Sequence, residues 1–155
     1  MALVNVFDVA GSGMSAQSVR LNTTASNLAN AQTASSSADQ VYRNRQPVFS
    51  QMQSDAMAAF GREPSAWGQE PSAWGQEPAG RGVRVMGIVE SDAPLQRRYE
   101  PDHPEADEEG YVFYPNVNPV EEMANMISAS RSFQMNVEVM NSAKQMIQRA
   151  LTLGQ

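Results

Sequence analysis

The residues best suited to do chemistry lie around the single histidine, His103. Its carboxylate neighbours in the stretch PDHPEADEEG are Asp102, Glu105, Asp107, Glu108 and Glu109. A zinc site takes three or more His, Cys or carboxylate ligands in fixed geometry, and a calcium loop alternates its oxygen ligands around a central glycine. The stretch matches neither pattern. Because Pro101, Pro104 and Gly110 punctuate it, we predict a solvated acidic loop.

The rest of the sequence offers no recognisable active site. It contains no cysteine, which excludes disulfides, thiolate metal sites and a cysteine nucleophile. It has no glycine-rich phosphate loop, no nucleophile elbow and no HExxH motif. We therefore predict that the protein is not an enzyme and that it has no catalytic, cofactor or metal site. An enzyme that uses His103 and its acidic neighbours is kept as an alternative.

Net charge and hydropathy exclude two classes of partner. The net charge is −6, whereas a general nucleic-acid binder presents a basic face. No run of 18 apolar residues occurs, so we expect no membrane insertion. The beginning of the chain, MALVNVFDVAG, lacks the basic and apolar regions of a secretory signal peptide. Any export is therefore expected to proceed without a cleaved leader.

Charge divides the chain into three segments. Residues 1–33 carry two charged side chains, residues 34–118 carry twenty and residues 119–155 carry six. The two ends resemble each other and differ from the middle. We predict that 1–33 pairs with 119–155 as terminal helices, and that 34–118 forms a small β-rich domain.

Both ends carry a mostly apolar stripe whose members are alternately three and four residues apart. The first stripe is Leu3, Phe7, Ala10, Met14, Gln17, Leu21, Thr24 and Leu28. The second is Met123, Met126, Ser130, Phe133, Val137, Met140, Lys144, Ile147 and Leu151. Such stripes follow one helix face and pack against a partner helix. They predict a coiled-coil-like core within an α+β fold; an ordinary two-helix core inside a monomer is the alternative.

The opposite faces of these helices are rich in Ser, Thr, Asn, Gln and Ala rather than in charged residues. A solvated helix face is usually charged. Small neutral side chains indicate helices that are covered on several sides by copies or partners. At the end of the first helix, Asn30 is a candidate for the C-terminal cap, because Asn tolerates the left-handed conformation. Asn27 is expected to bond the last turn or a neighbouring chain.

The middle segment contains short strand candidates and a repeat. Gln46 to Gln53 and Gly82 to Glu90 are expected strands, with QRRYE and YVFYP as further candidates. Between the first two lies EPSAWGQEPSAWGQEPAG, within residues 63–80, in which a seven-residue unit occurs twice. Each unit contains Pro and Gly, which break helices, so we predict an exposed loop and not a coiled coil.

The two end sequences together resemble the flagellar axial proteins of the rod and hook type. The first, FDVAGSGMSAQSVRLNTTASNLANAQT, contains the SNLAN motif, and the second runs from YVFYPNVNP to the end of the chain. The stretch YEPDHPEADEEGYVFYPNVN narrows the resemblance to the proximal rod members of this family. Residues 54–81, which hold the repeat, depart from the family pattern.

The resemblance implies a structural subunit that polymerises in the proximal rod of the basal body, transmits motor torque and lines the export channel. Implied partners are other copies of itself, rod proteins of the FlgB, FlgF and FlgG type, the rod-base protein FliE and, during secretion, the flagellar type III export apparatus. The implied location is the rod, which crosses the periplasm. A helical adaptor or chaperone that binds partner helices is the alternative function.

A set of residues on the two helices is predicted to form the assembly interface. They are Leu3, Phe7, Met14, Leu21, Asn27, Leu28, Asn30, Met126, Phe133, Val137, Met140, Ile147 and Leu151. Within this set, Val137 and Met140 are expected to face the first helix near Met14 and Leu21. Subunit packing would then explain why the helix end around Asn27 and Asn30 is nearly uncharged.

Overall fold

The protein combines two long helices with two small antiparallel strand pairs, as a computed structural model of residues 2–52 and 82–153 describes it. In chain order the elements are α1 (Ala2–Asn30), β1 (Arg45–Gln51), β2 (Val83–Glu90), β3 (Gln96–Tyr99), β4 (Tyr111–Tyr114) and α2 (Pro119–Leu153). This architecture confirms the α+β prediction and the four strand candidates. The EPSAWGQ repeat, with Trp67 and Trp74, lies outside the described residues.

Helix α1 ends at Asn30, as predicted, without a glycine. The Asn30 side-chain amide donates to the Ser26 carbonyl at 2.8 Å. The carbonyl of Asn30 itself accepts from the backbone N–H and the hydroxyl of Thr33, at 3.1 and 2.8 Å. Since the last carbonyls of a helix have no partner inside the helix, these bonds are what the chain supplies in place of a glycine cap.

Helix α2 starts with a strong N-terminal sequence, Asn-Pro-Val-Glu-Glu. The Asn118 carboxamide oxygen accepts from the Val120 N–H at 3.2 Å, and Pro119 occupies the first helical position, where no N–H is needed. Glu121 and Glu122 follow in the first turn, where the helix dipole favours negative charge. These features fix where the second helix begins.

The two helices pack antiparallel along their length. From the middle of α1 to its C-terminal end, Gly13 lies against Asn136, Arg20 donates to Asn125 at 3.3 Å, and Asn27 donates to Glu122 at 3.1 Å. The partners on α2 therefore run backwards as α1 runs forwards. At Gly13 an added Cβ would lie 2.9 Å from the Asn136 amide nitrogen, so the Asn136 side chain packs directly against the Gly13 backbone.

The line of α2 residues that contacts α1, here called the seam, is displaced by one residue from every second position of the predicted stripe. Its members seven residues apart are Glu122, Ala129, Asn136 and Ala143, of which all but Asn136 are buried. The corresponding predicted positions are Met123, Ser130, Val137 and Lys144, and the predicted series continues to Leu151. Met123 is 51% exposed and Leu151 is 68% exposed. The other predicted positions, Met126, Phe133, Met140 and Ile147, are half-buried beside the seam.

The distance between two packed helices depends on the side chains at the contact. The small and polar side chains of the seam therefore allow α1 and α2 to pack closely. Ala129, Ala143 and Gly13 permit an approach that methionine or valine would prevent. The core of the described chain is correspondingly thin. Its buried apolar residues are Ala10, Ala16, Val41, Val112, Val117, Ala129 and Ala143.

Strands β1 and β2 form an antiparallel ribbon that lies along α1. Its register runs from Arg45 opposite Glu90 to Gln51 opposite Val83, with an irregularity between Val48 and Phe49. At one end the Asn27 side chain bonds the backbone of Arg45, at 2.8 and 3.0 Å. At the other end the Val83 N–H donates to the Ser12 hydroxyl at 3.1 Å. The ribbon is thus attached to α1 at both ends.

Strands β3 and β4 form the second pair, which encloses the acidic loop. Gln96 lies opposite Tyr114 and Tyr99 opposite Tyr111, while Ser35 bridges to Phe113 on the free side of β4. In the loop the Asp107 carboxylate accepts from the N–H groups of Glu109 and Tyr111, at 2.9 and 2.8 Å. The carboxylate thus serves to shape the turn.

Gly82, where the described chain enters β2, generates a testable prediction. Its φ is +126°, a conformation that L side chains rarely adopt, and an added Cβ would lie 2.1 Å from the Ser12 hydroxyl oxygen. We expect Gly82→Ala to lower the free energy of unfolding by about 1–3 kcal/mol, measured by urea denaturation.

Gly87 in the same strand is the matched control, because an added Cβ there meets nothing within 4 Å. Gly87→Ala should change the free energy of unfolding by less than about 0.5 kcal/mol. Equal effects of the two substitutions would show that the ribbon is not held to α1 through Ser12.

Candidate assembly surface and the polar junction that shapes it

Helix α2 carries exposed apolar side chains away from its contact with α1. An N-terminal stripe consists of Val120, Met123 and Ile127, and a C-terminal stripe consists of Met135, Val139 and Met146. Within each stripe the spacing keeps the residues on one side of the helix. The two stripes stand about a quarter of a turn apart around α2, at 3.6 residues per turn. Contiguous exposed apolar surface of this kind marks an interaction site.

The β1–β2 ribbon adds a second exposed apolar region, which the sequence analysis did not include in the site. Its members are Val48, Phe49, Met86, Ile88 and Val89. The apolar, β-branched composition of Val83–Glu90 predicts the strand. A two-stranded ribbon has two faces, however, and among the described elements only α1 packs against it. The pattern indicates strand formation and does not identify which face stays uncovered.

The predicted interface residues fall into different environments. Asn27 is buried and Leu151 is exposed, while the Leu3 side chain lies outside the described set. Half-buried members are Phe7, Met14, Leu21, Leu28, Asn30, Met126, Phe133, Val137, Met140 and Ile147. Half-buried residues flank the seam, where each has one side toward the partner helix and one toward solvent.

The antiparallel register decides which members of the set lie at the same level. Because Gly13 contacts Asn136 in an antiparallel pair, Val137 lies at the level of Ser12. Met14 is two residues away from that level, about 3 Å along the helix axis. Asn27 contacts Glu122, so Leu21 lies at the level of Ser128. That level is about 14 Å along α2 from Val137, at 1.5 Å per residue. The expected approach of Val137 to Met14 is therefore compatible with the register, and its approach to Leu21 is not.

Asn27 is the centre of a polar cluster, here called the Asn27 junction, which consists of the buried Asn27 and Glu122, the half-buried Tyr42 and Asn44, and the backbone of Arg45. The Asn27 side chain is 1% exposed. Its amide nitrogen faces the Asn44 amide oxygen and the Arg45 carbonyl, each at 2.8 Å, and a Glu122 carboxylate oxygen at 3.1 Å. Its amide oxygen accepts from the Tyr42 hydroxyl at 2.8 Å and from the Arg45 N–H at 3.0 Å.

These contacts correct the sequence-based expectation for Asn27. We expected it to bond the last turn of its own helix or a neighbouring chain. Instead, it joins α1 to the chain just before β1 and to the first turn of α2, all within one molecule. Neither Tyr42, Asn44 nor Glu122 was predicted to belong to the site. Asn and Tyr have many ordinary surface roles, and their spacing along the chain gives no indication that they meet.

Glu122 is the charged member of the junction and is 2% exposed. In addition to the bond from Asn27, it lies 3.5 Å from the Asn44 amide nitrogen. The ion pairs among the described residues join other groups, Arg45 with Glu90 and Arg97 with Glu109. The carboxylate is therefore held by amide donors and by the N-terminal end of the α2 dipole.

The junction extends to the chain that precedes α2. The Asn116 amide oxygen accepts from the Asn44 N–H at 2.8 Å, and its amide nitrogen donates to the carbonyls of Ala93 and Ser91, at 2.9 and 3.2 Å. At Tyr42, burial raises the pKa of the hydroxyl above its ordinary value, more than the nearby Arg45 lowers it. The hydroxyl therefore remains a donor to Asn27 at neutral pH.

The described residues show no arrangement suited to metal binding or to spanning a membrane. No group of three or more potential metal ligands occurs among residues 2–52 and 82–153. The His103 ring nitrogen Nδ1 accepts from the Glu105 N–H at 3.1 Å and so belongs to the turn. Neither α1 nor α2 is long and apolar enough to cross a bilayer. What the arrangement offers is contact surface.

Comparison with known proteins gives this surface a context. Residues 7–34 match the family model described as flagella basal body rod protein, and residues 108–153 match the model described as flagellar basal body rod FlgEFG protein C-terminal. These are the two ends on which the resemblance to rod and hook proteins was based.

Full-length relatives extend the match across the whole chain. The chain is 47% identical over 155 residues to the flagellar basal-body rod protein FlgC of Escherichia coli O6:H1 and to that of Salmonella typhimurium, and the alignment covers all of this chain and all of each relative. The FlgC protein of Borreliella burgdorferi is 35% identical over 159 residues, covering all of this chain and 99% of the relative. These relatives are named as rod proteins, which confirms the prediction of a structural and not a catalytic role. The chain therefore belongs to the FlgC family of flagellar basal-body rod proteins.

Proposed function

We propose that the protein is a subunit of the proximal rod, and that its terminal helices pack against those of neighbouring subunits to build a tube. The assembled rod transmits motor torque and lines the channel of the export apparatus. The observation that carries this proposal is the pair of exposed apolar stripes on α2. Apolar residues on two faces of α2 that α1 does not cover indicate that neighbouring helices bind to those faces.

The partners follow from the family and from the chemistry of the surface. We propose contacts with copies of the same chain, with rod proteins of the FlgB, FlgF and FlgG type and with the rod-base protein FliE. The methionines in the stripes, Met123, Met135 and Met146, support contacts with helices of different sequence. Methionine is unbranched and polarisable, so one surface adapts to several partner shapes.

Apart from Asn27, which is buried within the molecule, the predicted interface set keeps its place in this proposal, from Leu3 to Asn30 on α1 and from Met126 to Leu151 on α2. Half-buried residues beside the seam contribute their outer side to a neighbour. We further propose that 1–33 with 119–155 form the inner, packed domain and that 34–118 faces outward. The division of charge supports this arrangement, because the middle segment carries twenty of the charged residues.

The route to the rod is also part of the proposal. We propose that the chain reaches the basal body through the flagellar type III export apparatus, unfolded and without cleavage of a leader, and that the finished rod crosses the periplasm. The direct test is a deletion strain complemented with variants. Loss of the gene should abolish swimming and leave basal bodies without a complete rod, whereas loss of an adaptor would leave any assembled rod complete.

The C-terminal stripe yields a prediction that separates assembly from folding. Met135→Glu and Met146→Glu place a charge on exposed positions, so each should change the free energy of unfolding by less than about 0.5 kcal/mol. In the rod the same carboxylate would be buried against apolar side chains without a partner, which costs several kcal/mol. We expect normal export and lost swimming on soft agar.

Gln96→Glu is the control for both methionine substitutions. It introduces the same side chain at an exposed position on β3, outside the two apolar stripes. Swimming should be normal in this strain. If Met135→Glu and Met146→Glu also swim normally, the stripe is not an assembly surface.

Val137 tests the side of the helix nearest to α1. It is half-buried, so Val137→Asp brings a carboxylate against the helix pair itself and should destabilise the isolated subunit by about 1–3 kcal/mol. We expect rod assembly to stop while the amount of subunit in the export fraction falls less, because export does not require the finished interface. Glu108→Ala, in the exposed acidic loop, should leave both measurements unchanged. Normal swimming by the Val137→Asp strain would refute burial at this position.

A further inference from the structure

The C-terminal stripe of α2, Met135, Val139 and Met146, continues into two exposed polar positions. Ser142 and Arg149 lie on the same side of the helix, so that the five positions follow one another at alternating steps of four and three residues. This alternation is the spacing by which one helix packs along another. The stripe with its two polar positions therefore fits a helical partner.

Helix α2 is longer than the helix against which it packs in its own molecule. The antiparallel register places residue 147 at the level of Ala2, where α1 begins. Helix α2 continues to Leu153, so its last turns extend beyond α1, and Leu151 is 68% exposed there. The stripe runs into this overhang. In its own molecule α1 does not reach this end of the stripe, so a helix that covers all of it belongs to another molecule.

The face of α1 that points away from α2 has the matching pattern. Gly13 and Arg20 contact α2, and the residues two positions before and after each of them lie on the opposite side of the helix, at about 100° per residue. With Asp8 they follow steps of three and four residues, and all are exposed except the half-buried Gly11: Asp8, Gly11, Ser15, Ser18 and Asn22. We call this set the outer face of α1. An added Cβ at Gly11 would meet nothing within 4 Å.

The stripe and the outer face match position by position when the two helices run antiparallel. The large apolar side chains of the stripe then lie opposite small or polar residues, which lets the helices pack closely. Three of the facing pairs are Arg149 with Asp8, Met146 with Gly11 and Val139 with Ser18.

Charge supports this register. Residues 1–33 carry two charged side chains, of which Asp8 is the acidic one, and it is exposed at the end of the outer face. The ion pairs among residues 2–52 and 82–153 include neither Asp8 nor Arg149. An exposed ion pair adds little stability, but it selects one register because a shifted register loses the pair.

We propose that in the rod the C-terminal stripe of α2 docks on the outer face of α1 of a second copy of this chain, with Arg149 beside Asp8. This inference rests on the proposed function and names the two surfaces that meet. It concerns the assembled rod and requires no helical order in the free subunit. The second copy's α1 also covers the overhang of α2.

The direction of the helices agrees with a helical assembly. Copies related by rotation about an axis and translation along it all point the same way. Helix α1 of one copy therefore runs antiparallel to α2 of the next, as it does within one copy. Each copy offers its stripe to one neighbour and its outer face to another. Such a heterologous contact leaves free surfaces at both ends and propagates along a tube.

Disulfide cross-linking in assembled rods tests the docking. The chain contains no cysteine, so Ser18→Cys/Val139→Cys introduces the two thiols at facing positions. Basal bodies isolated from a strain that carries this variant are oxidised. We expect dimers and higher multiples of the chain on a non-reducing gel, because facing positions of closely packed helices come within disulfide range. Within one copy, Val139 lies about 12 Å along the axis from the level of Ser18, so no intrachain disulfide is expected.

Ser18→Cys/Asn141→Cys is the matched control. Asn141 is also exposed, but it is two positions from Val139 and so lies on nearly the opposite side of α2. This variant should give no multiples. If the strain with cysteines at 18 and 139 swims before oxidation and its rods give no multiples, the docking is wrong while the proposed function stands. Multiples of equal yield from the control would also overturn the docking.

Gly11→Leu tests the same contact without cross-linking. At Gly11 a side chain starts in open space within the molecule, and leucine favours a helix more than glycine does. In the rod the leucine would occupy the space of Met146 from the second copy. We expect at least about 5-fold fewer complete rods, counted by electron microscopy, as overpacking of a contact predicts.

A shorter side chain at 146 should relieve this effect. Gly11→Leu/Met146→Ala should give more complete rods than Gly11→Leu alone, a non-additive result that general destabilisation would not give. Gly11→Leu/Met135→Ala is the control and should give no relief, because Met135 faces Asn22. These variants decide the question if the cysteine pair prevents swimming. Normal rod numbers with Gly11→Leu, or equal relief by both alanine substitutions, would contradict the docking.

Discussion

The close antiparallel approach of α1 and α2 is the constraint on which the rest of the structure depends. Gly13 leaves room for the Asn136 side chain, and the buried Ala129 and Ala143 let the two helices pack closely. A seam built from such small residues has no room for the large apolar side chains on the same helices. Methionine, valine and isoleucine residues of α2 therefore remain at its flanks or on its outer side. The exposed stripes are a direct consequence of how the helices meet.

The same seam becomes polar at the end where α1 stops and α2 starts. There Asn27 and Glu122 replace the small residues, and their bonds bring in the chain before β1. From that point the ribbon follows α1 to Ser12. Fifteen residues of helix measure about 22 Å and seven residues of strand measure about 23 Å, so the two elements match in length. One polar junction thus sets the direction of the ribbon as well as the pairing of the helices.

The helices and strands could be predicted well from the sequence, whereas the contacts between them could be predicted less well. Apolar periodicity indicated the two helices and Asn30 the end of α1, because these features act through local backbone geometry. The position of the seam was missed by one residue because the stripe was chosen by hydrophobicity, whereas close packing selected alanine at 129 and 143. The partners of Asn27 were missed for another reason: they lie in three separate segments, and hydrogen-bond complementarity between distant residues leaves no periodic trace.

A seam of small side chains also limits how much burial between α1 and α2 contributes to the free energy of folding. Alanine contributes only a methyl group, whereas burial of a Val, Ile, Leu or Met side chain contributes about 1.5–3 kcal/mol. In the single chain the residues that could contribute most, such as Ile127, Met135 and Met146, stay largely in water. Neighbouring helices that cover them would gain this contribution at the moment of contact. A subunit built in this way leaves part of its possible apolar burial unused when alone, and binding of neighbours in the rod would stabilise it further.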